Sequence, residues 1–205
     1  MEFSCANCAV TNCHVGNKRY PDFCLTTKLS DCRIAEVIAM YEDAENQKIM
    51  LAAAGIEYEF YNKWTRLEET IEFAKRIGAE KIGIATCVGL INETIILNKI
   101  LRRHGFEVFG VACKVGAIDK TKFGLNPEYK KVGKNACNPI MQAQLLAEAN
   151  TDMNIVMGLC VGHDSLFYKY SKTIVTTLVT KDRVLGHNPA AAIYTSGSYY
   201  DKLLK

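Results

Sequence analysis

Beyond residue 31 the chain alternates between two spacings of apolar residues, and before it neither spacing occurs. From about Asp31, the positions Ile34, Val37, Ile38, Tyr41, Ile49 and Leu51 recur near the 3.6-residue period. That pattern predicts a helix with Asp31 as N-cap and Gly55 as its stop. A second helix is predicted over Thr65–Ile77, ended by Gly78, and a third over Asn92–His104, ended by Gly105. Between and after them lie continuous apolar runs of strand length: KIGIAT (81–86), FEVFGVA (106–112), MNIVMGL (153–159) and TIVTTLVT (173–180). Runs that are apolar on both faces suit the buried strands of a parallel sheet. Cys137-Asn138-Pro139 opens a helix to about Asn150, with Asn138 as N-cap and Pro139 where a missing N–H is harmless. A short helix from about Asp164 and a capped one from Asn188-Pro189 through AAAIY complete the series. Strands alternating with helices predict an α/β fold, a Rossmann-like three-layer sandwich with a mostly parallel sheet of about four strands. The segment 114–136, with Gly116, Gly124, Pro127 and Gly133, is long for a connection and reads as a functional lid.

Residues 1–31 break both patterns with Asn, Thr, Gly and Pro21, and they hold Cys5, Cys8, Cys13 and Cys24 in a C-x2-C-x4-C-x10-C run. The expected organisation is a small cysteine-rich metal-binding segment (1–31) followed by the α/β domain (32–205). A C-x2-C pair lets two sulfurs and the intervening amides wrap one ion, so these four cysteines predict zinc or an iron–sulfur cluster. Cys32 could replace Cys24, but it falls inside the predicted first helix.

Four other cysteines are spread through the α/β pattern. Cys87, Cys113 and Cys160 follow predicted strands, and Cys137 precedes a predicted helix. In an open parallel sheet the carboxyl ends of the strands share one edge, where ligands and cofactors bind. Helix N-termini and tight Gly-containing turns (CVGL, CKVG, CVGH) favour negative charge, which suits thiolates and an anionic cluster. The intervals of 25, 23 and 22 residues differ from the two short-spaced pairs of most zinc sites, and favour a cluster seated in a preformed fold. A 4Fe–4S cluster on Cys87, Cys113, Cys137 and Cys160 is therefore the expected cofactor. If three thiols bind it and the fourth stays free, an iron keeps an open position for a substrate. The plainer alternative is that these cysteines are small apolar core residues.

Other polar residues gather at the same predicted edge. Lys114, beside Cys113, would offset cluster charge. His163 and Asp164 lie close after Cys160, and Lys181, Asp182, Arg183 and His187 follow the last strand. His163, Asp164 and Arg183 are the catalytic candidates, set against the plain roles of helix cap, loop hydrogen bond and hydrated turn. Dinucleotide, Walker A and nucleophile-elbow patterns are absent.

Composition narrows the setting. With 205 residues and 49% hydrophobic content the chain buries a core without disulfide staples. It starts MEFSCANC, with neither a basic nor an apolar leader region, so a cytoplasmic, reducing location is expected. No apolar run reaches the roughly 18 residues of a membrane span. The formal charge of +3 falls to about −1 if two tetrathiolate sites of about −2 each are filled, and Lys and Arg form no stripe, so nucleic acid is not an expected partner.

In chain order, CANCAVTNC, CVGL, ACKVGA, ACNPIMQA, GLCVGHDSLF and KDRVLGHNPAAAIY resemble a family of bacterial and archaeal cysteine-rich proteins labelled predicted metal-binding. The resemblance implies metal binding with Cys5, Cys8, Cys13, Cys24, Cys87, Cys113, Cys137 and Cys160 as ligands; Cys32 lies outside it. It implies no reaction. Three functions stand at this point: an iron–sulfur protein of electron transfer or redox chemistry, working with a redox partner protein; an iron–sulfur enzyme with an open iron acting on a sulfur-containing or anionic small molecule; and a zinc-binding regulatory or scaffold protein.

Overall fold

The four apolar runs become four strands, β1 (Lys81–Thr86), β2 (Glu107–Ala112), β3 (Met153–Met157) and β4 (Ile174–Val179), in a computed structural model that describes residues 3–205. They form one sheet in the order β2-β1-β3-β4, and every pairing is parallel. Burial follows that order. The residues of β3 and all of β1 after Lys81 are buried, whereas β2 is buried only at Val108 and Val111 and β4 is half-buried throughout, as edge strands are. The fold is therefore α/β with an all-parallel sheet, as the apolar runs predict.

Helices supply the crossovers. The helix α4 (Arg66–Arg76) precedes β1, α5 (Ile91–Arg103) joins β1 to β2, α6 (Pro139–Glu148) joins β2 to β3, and α7 (His163–Tyr170) joins β3 to β4. Right-handed crossovers that leave β1 in one direction and return across it in the other put α5 on one face and α6 and α7 on the opposite face. In keeping with this, α5 packs on β1 and β2, and α6 packs on the same strands and against α7. The start of α4 is a capping box, Thr65 accepting from the Glu68 amide while Glu68 accepts from the Thr65 amide. Asn138 caps α6 by accepting from Met141 N at 3.2 Å, with Pro139 at the first position. A core of Ala85, Val111, Leu146, Val156, Leu159 and Phe167 lies between the sheet and α6–α7, and Cys87 and Cys113 belong to it.

Within the amino-terminal part lie α1 (Asn12–Val15), α2 (Asp31–Met40) and α3 (Ala44–Phe60), and α8 (Ala190–Tyr194) lies near the carboxyl end. Three boundaries differ from expectation. The single helix predicted from Asp31 to Gly55 is two, because the Asp43 carboxylate accepts from the amides of Glu45 and Asn46 and starts a new helix, which runs through Gly55. Ser30, not Asp31, caps α2, accepting from Arg33 N at 3.2 Å. The last helix begins at Ala190, with the Asn188 backbone carbonyl accepting from Ala191 N instead of a side-chain cap. The chain divides into two units, residues up to Ala54 and Gly55–Lys205. Among the described residues of the first, only Asn12 and Ala52 are buried. No helix among the described residues is long and apolar enough to cross a membrane.

Candidate functional site

Strand register decides which cysteines meet. Thr86 pairs with Ala112 in β2, so the next residues, Cys87 and Cys113, leave the sheet side by side. Both are buried, at 8% and 2% exposure. Thr86 also pairs with Met157, the last residue of β3, so the strand ends there and not at Leu159 as the run MNIVMGL suggests. Cys160 consequently stands three residues beyond the edge. Gly158 makes the bend possible: its φ is +65°, and a Cβ there would sit 2.2 Å from Leu90 Cδ1. This edge is also where the crossovers from β1 and β3 part to opposite faces, the usual ligand crevice of an open sheet.

Three sulfurs converge. Cys137 Sγ and Cys113 Sγ lie 3.9 Å apart, and Cys113 also faces Cys87. The Val88 amide donates to Cys113 Sγ at 3.3 Å. Cys113 has its thiol pushed up by the sulfurs of Cys137 and Cys87 and by burial, so it keeps its proton. Cys137 is held well below the usual thiol range by Cys113, then by His163 and Lys114, against the effect of burial. Cys87 is likewise lowered, by Cys113 first and then, against burial, by the Gly89 amide and Lys181. Three neighbouring sulfurs, two of them with lowered thiol pKa, flanked by amides and cations, are a donor set suited to a thiolate-ligated metal or cluster.

Gln142 on α6 helps to hold this edge. Fully buried, its Nε2 donates to the carbonyls of Thr86 at 3.1 Å and Val111 at 2.7 Å, beside Cys87 and Cys113. A single glutamine on the apolar face of PIMQAQLL is the sequence signal for such a role.

Cys160 is held differently. Arg183 Nη2 donates to its sulfur at 2.8 Å. Both residues line a cavity of about 690 Å³ together with Cys137, Lys114 and His163. The His163 imidazole is raised by Cys137, against burial, and its Nδ1 is buried without a hydrogen-bond partner. Asp164 is not in the cavity wall; its Oδ1 accepts from the Ser165 amide at 2.8 Å, at the start of α7. Asp182 and His187 build the turn that presents Arg183: Asp182 Oδ1 accepts from Val184 and Leu185, and the Asp182 amide donates to His187 Nδ1.

The segment 114–136 forms the far wall as an ordered flap. Asp119 and Asn135 make an antiparallel bridge, and the Asp119 carboxylate pairs with Lys130 at 2.9 Å and accepts from Thr121. Inside the flap, buried Lys120 donates to the Tyr129 carbonyl. Lys114 donates to Asn135 O at 2.7 Å, tying the flap to the cysteine edge.

The amino-terminal cysteines are placed otherwise. Cys5 starts a 3-10 turn in which the Cys8 amide donates to Cys5 O, so this pair shares one turn. Cys13 lies on α1, and Cys24 precedes a 3-10 turn, its thiol lowered by Thr26. Cys5 and Cys13 are exposed, Cys8 and Cys24 half-buried, and no cysteine among the described residues is in a disulfide. Cys32, in the first turn of α2, faces Glu36 at 3.7 Å. Among the described residues, no group of three or more His, Cys, Asp or Glu side chains is drawn in around a single-ion site.

Fold and site thus define an α/β protein with a parallel sheet and a cysteine-rich carboxyl edge. The chain belongs to the family described as "Protein of unknown function (DUF1847)", whose model matches residues 24–178. It is 50% identical over 200 residues to "Uncharacterized protein MJ0455" of Methanocaldococcus jannaschii, covering 94% of this chain and 98% of that one. Among solved structures, Dph2 from Pyrococcus horikoshii aligns with 14% identity and a TM-score of 0.38, over 68% of this chain and 32% of its own.

Proposed function

We propose that this is an iron–sulfur protein of redox chemistry, with a cluster of the 4Fe–4S type held at the sheet edge by Cys87, Cys113 and Cys137. The single observation that carries the reading is the convergence of these three sulfurs at the carboxyl edge. Such a cluster supplies one-electron chemistry and, with three protein ligands, an iron open to a further ligand. Register supports three ligands over four, since Cys160 stands beyond the edge and is engaged by Arg183. Lys114 and Lys181 offset negative charge, the Val88 amide supports Cys113, and Gln142 fixes the two strand ends. His163, beside Cys137 and open to the cavity, is placed to hold or deliver a proton. Cys5, Cys8, Cys13 and Cys24 carry a second cluster or a zinc ion, their donor chemistry suiting either. Unpaired thiols throughout fit a reducing, cytoplasmic setting.

The cavity favours an enzyme acting on a small molecule over a simple electron carrier working through a redox partner protein. A buried centre that only passes electrons has no use for a chamber of about 690 Å³ at its side. The test is the iron, zinc and acid-labile sulfide content, with an absorption spectrum, of protein purified without oxygen. About four irons with matching sulfide that vanish in Cys113→Ser support the reading, with any further iron attributed to the amino-terminal thiols. Zinc without sulfide would replace it with a zinc-binding regulatory or scaffold protein.

A further inference from the structure

The walls of the cavity state what it takes. At about 690 Å³ it has the size of a small-molecule chamber, too large for a bare ion. Lys114, Lys120, His163 and Arg183 line it, and no Asp or Glu among the described residues does. These cations are not equivalent. Lys120 is committed to the Tyr129 carbonyl, Lys114 to the Asn135 carbonyl and Cys137, and His163 to Cys137. Arg183 has the most donors to spare: of its five N–H groups one reaches Cys160, and no carboxylate lies within ion-pair reach among the described residues.

Much of the remaining wall is apolar. Phe123 and Leu125 of the flap and Leu166 of α7 are 49%, 38% and 38% exposed, a cost in solvent that a hydrocarbon body would remove. A phosphate finds few free backbone amides here, that of Ile140 at the start of α6 among them. The first four amides of α7 go to Cys160 O twice, to Asp164 Oδ1 and to Gly162 O. At the start of α6, Pro139 has no N–H and Asn138 accepts from Met141. A planar carboxylate suits the guanidinium fork better, through two parallel hydrogen bonds.

We infer that this cavity binds a small organic acid, its carboxylate on Arg183 and its hydrocarbon body under the flap against Phe123 and Leu125. As the substrate class of the centre this rests on the iron–sulfur reading; as a binding site it does not. Calorimetry on the full chain, purified without oxygen, tests it with hexanoate, hexanamide and inorganic phosphate as probes. Hexanoate binds, and hexanamide and phosphate bind at least about tenfold more weakly. Arg183→Met weakens hexanoate about tenfold or more while leaving the amide unchanged, and Phe123→Gln weakens hexanoate and hexanamide alike. Because Arg183 and Phe123 are exposed, both variants fold. Phosphate binding as tightly as hexanoate, no hexanoate binding at millimolar concentration, or unchanged hexanoate affinity in Arg183→Met would overturn the inference. Metal analysis of the same samples separates the two readings. Hexanoate binding without iron or sulfide keeps the cavity and removes the cluster; iron and sulfide without hexanoate binding does the reverse.

Discussion

The two sets of cysteines in this chain are built on opposite principles. Cys5, Cys8, Cys13 and Cys24 are close in sequence, sit in short turns, and belong to a unit in which only Asn12 and Ala52 are buried among the described residues. Cys87, Cys113 and Cys137 are far apart in sequence, and a packed sheet with helices on both faces brings their sulfurs together. The first set has nearly no core beneath it, so a bound metal is what would order it. The second is assembled by hydrophobic burial and needs no metal to bring it together. Spacing along a chain reveals the first kind of site, and only strand order and register reveal the second.

The contrast is most open to attack at the metal itself. Chelation of the loaded protein is expected to expose residues 1–54 to protease at least about tenfold faster while Gly55–Lys205 stays intact, read by mass spectrometry of the fragments. Uniform digestion of both units would erase the distinction. Next in size, Phe167→Ala removes a fully buried ring under the strand-edge cysteines and should destabilise the second unit by about 3–5 kcal/mol in urea unfolding. The metal held by the amino-terminal thiols should be unaffected.

Gln142→Ala should cost about 2–4 kcal/mol, since it opens a cavity and strands the carbonyls of Thr86 and Val111. It should also lower iron occupancy at the sheet edge; full occupancy would mean that the strand ends need no such clamp. The smallest effect concerns the flap. Lys130 first, then the Thr121 amide and hydroxyl, hold the Asp119 carboxyl well below the usual carboxylate range. Its contribution is therefore complete above about pH 3.9, the ordinary value, and is lost as pH falls through the depressed one. Hydrogen exchange in residues 119–135, corrected for its intrinsic rate, should be constant from pH 7 to about pH 4.5 and rise below that range. Asp119→Asn should show the raised exchange already at neutral pH.

Much of the second unit was legible in its sequence. KIGIAT and FEVFGVA end where their ladders end, so the positions of Cys87 and Cys113 follow from the apolar runs alone. Cys160 does not follow from its run, because Gly158 and Leu159 continue the apolar stretch after the hydrogen-bonded strand has stopped. The β3–β4 register shifts at Val156/Met157, and Gly158 turns to positive φ immediately afterwards. A composition-based reading cannot see a register shift. The break between α2 and α3 was hidden for a similar reason: apolar spacing carries across it, and the local hydrogen bonds of Asp43 decide the outcome. The pairing of Arg183 with Cys160 spans 23 residues and depends on the turn that Asp182 and His187 build, so neither residue's neighbours announce it.

The all-parallel sheet also fixes an order of events. Parallel neighbours cannot be joined by a hairpin, so each pairing in β2-β1-β3-β4 waits for the closure of a long crossover. Topologies of this kind have high contact order and fold slowly, and the loops beyond their strand ends are positioned after the ladders have formed. Cys87, Cys113 and Cys137 therefore meet only at the end of folding, too late to act as its nucleus. A cofactor at that edge would have to reach a finished protein, one in which Cys137 already opens onto a chamber wide enough to admit a guest.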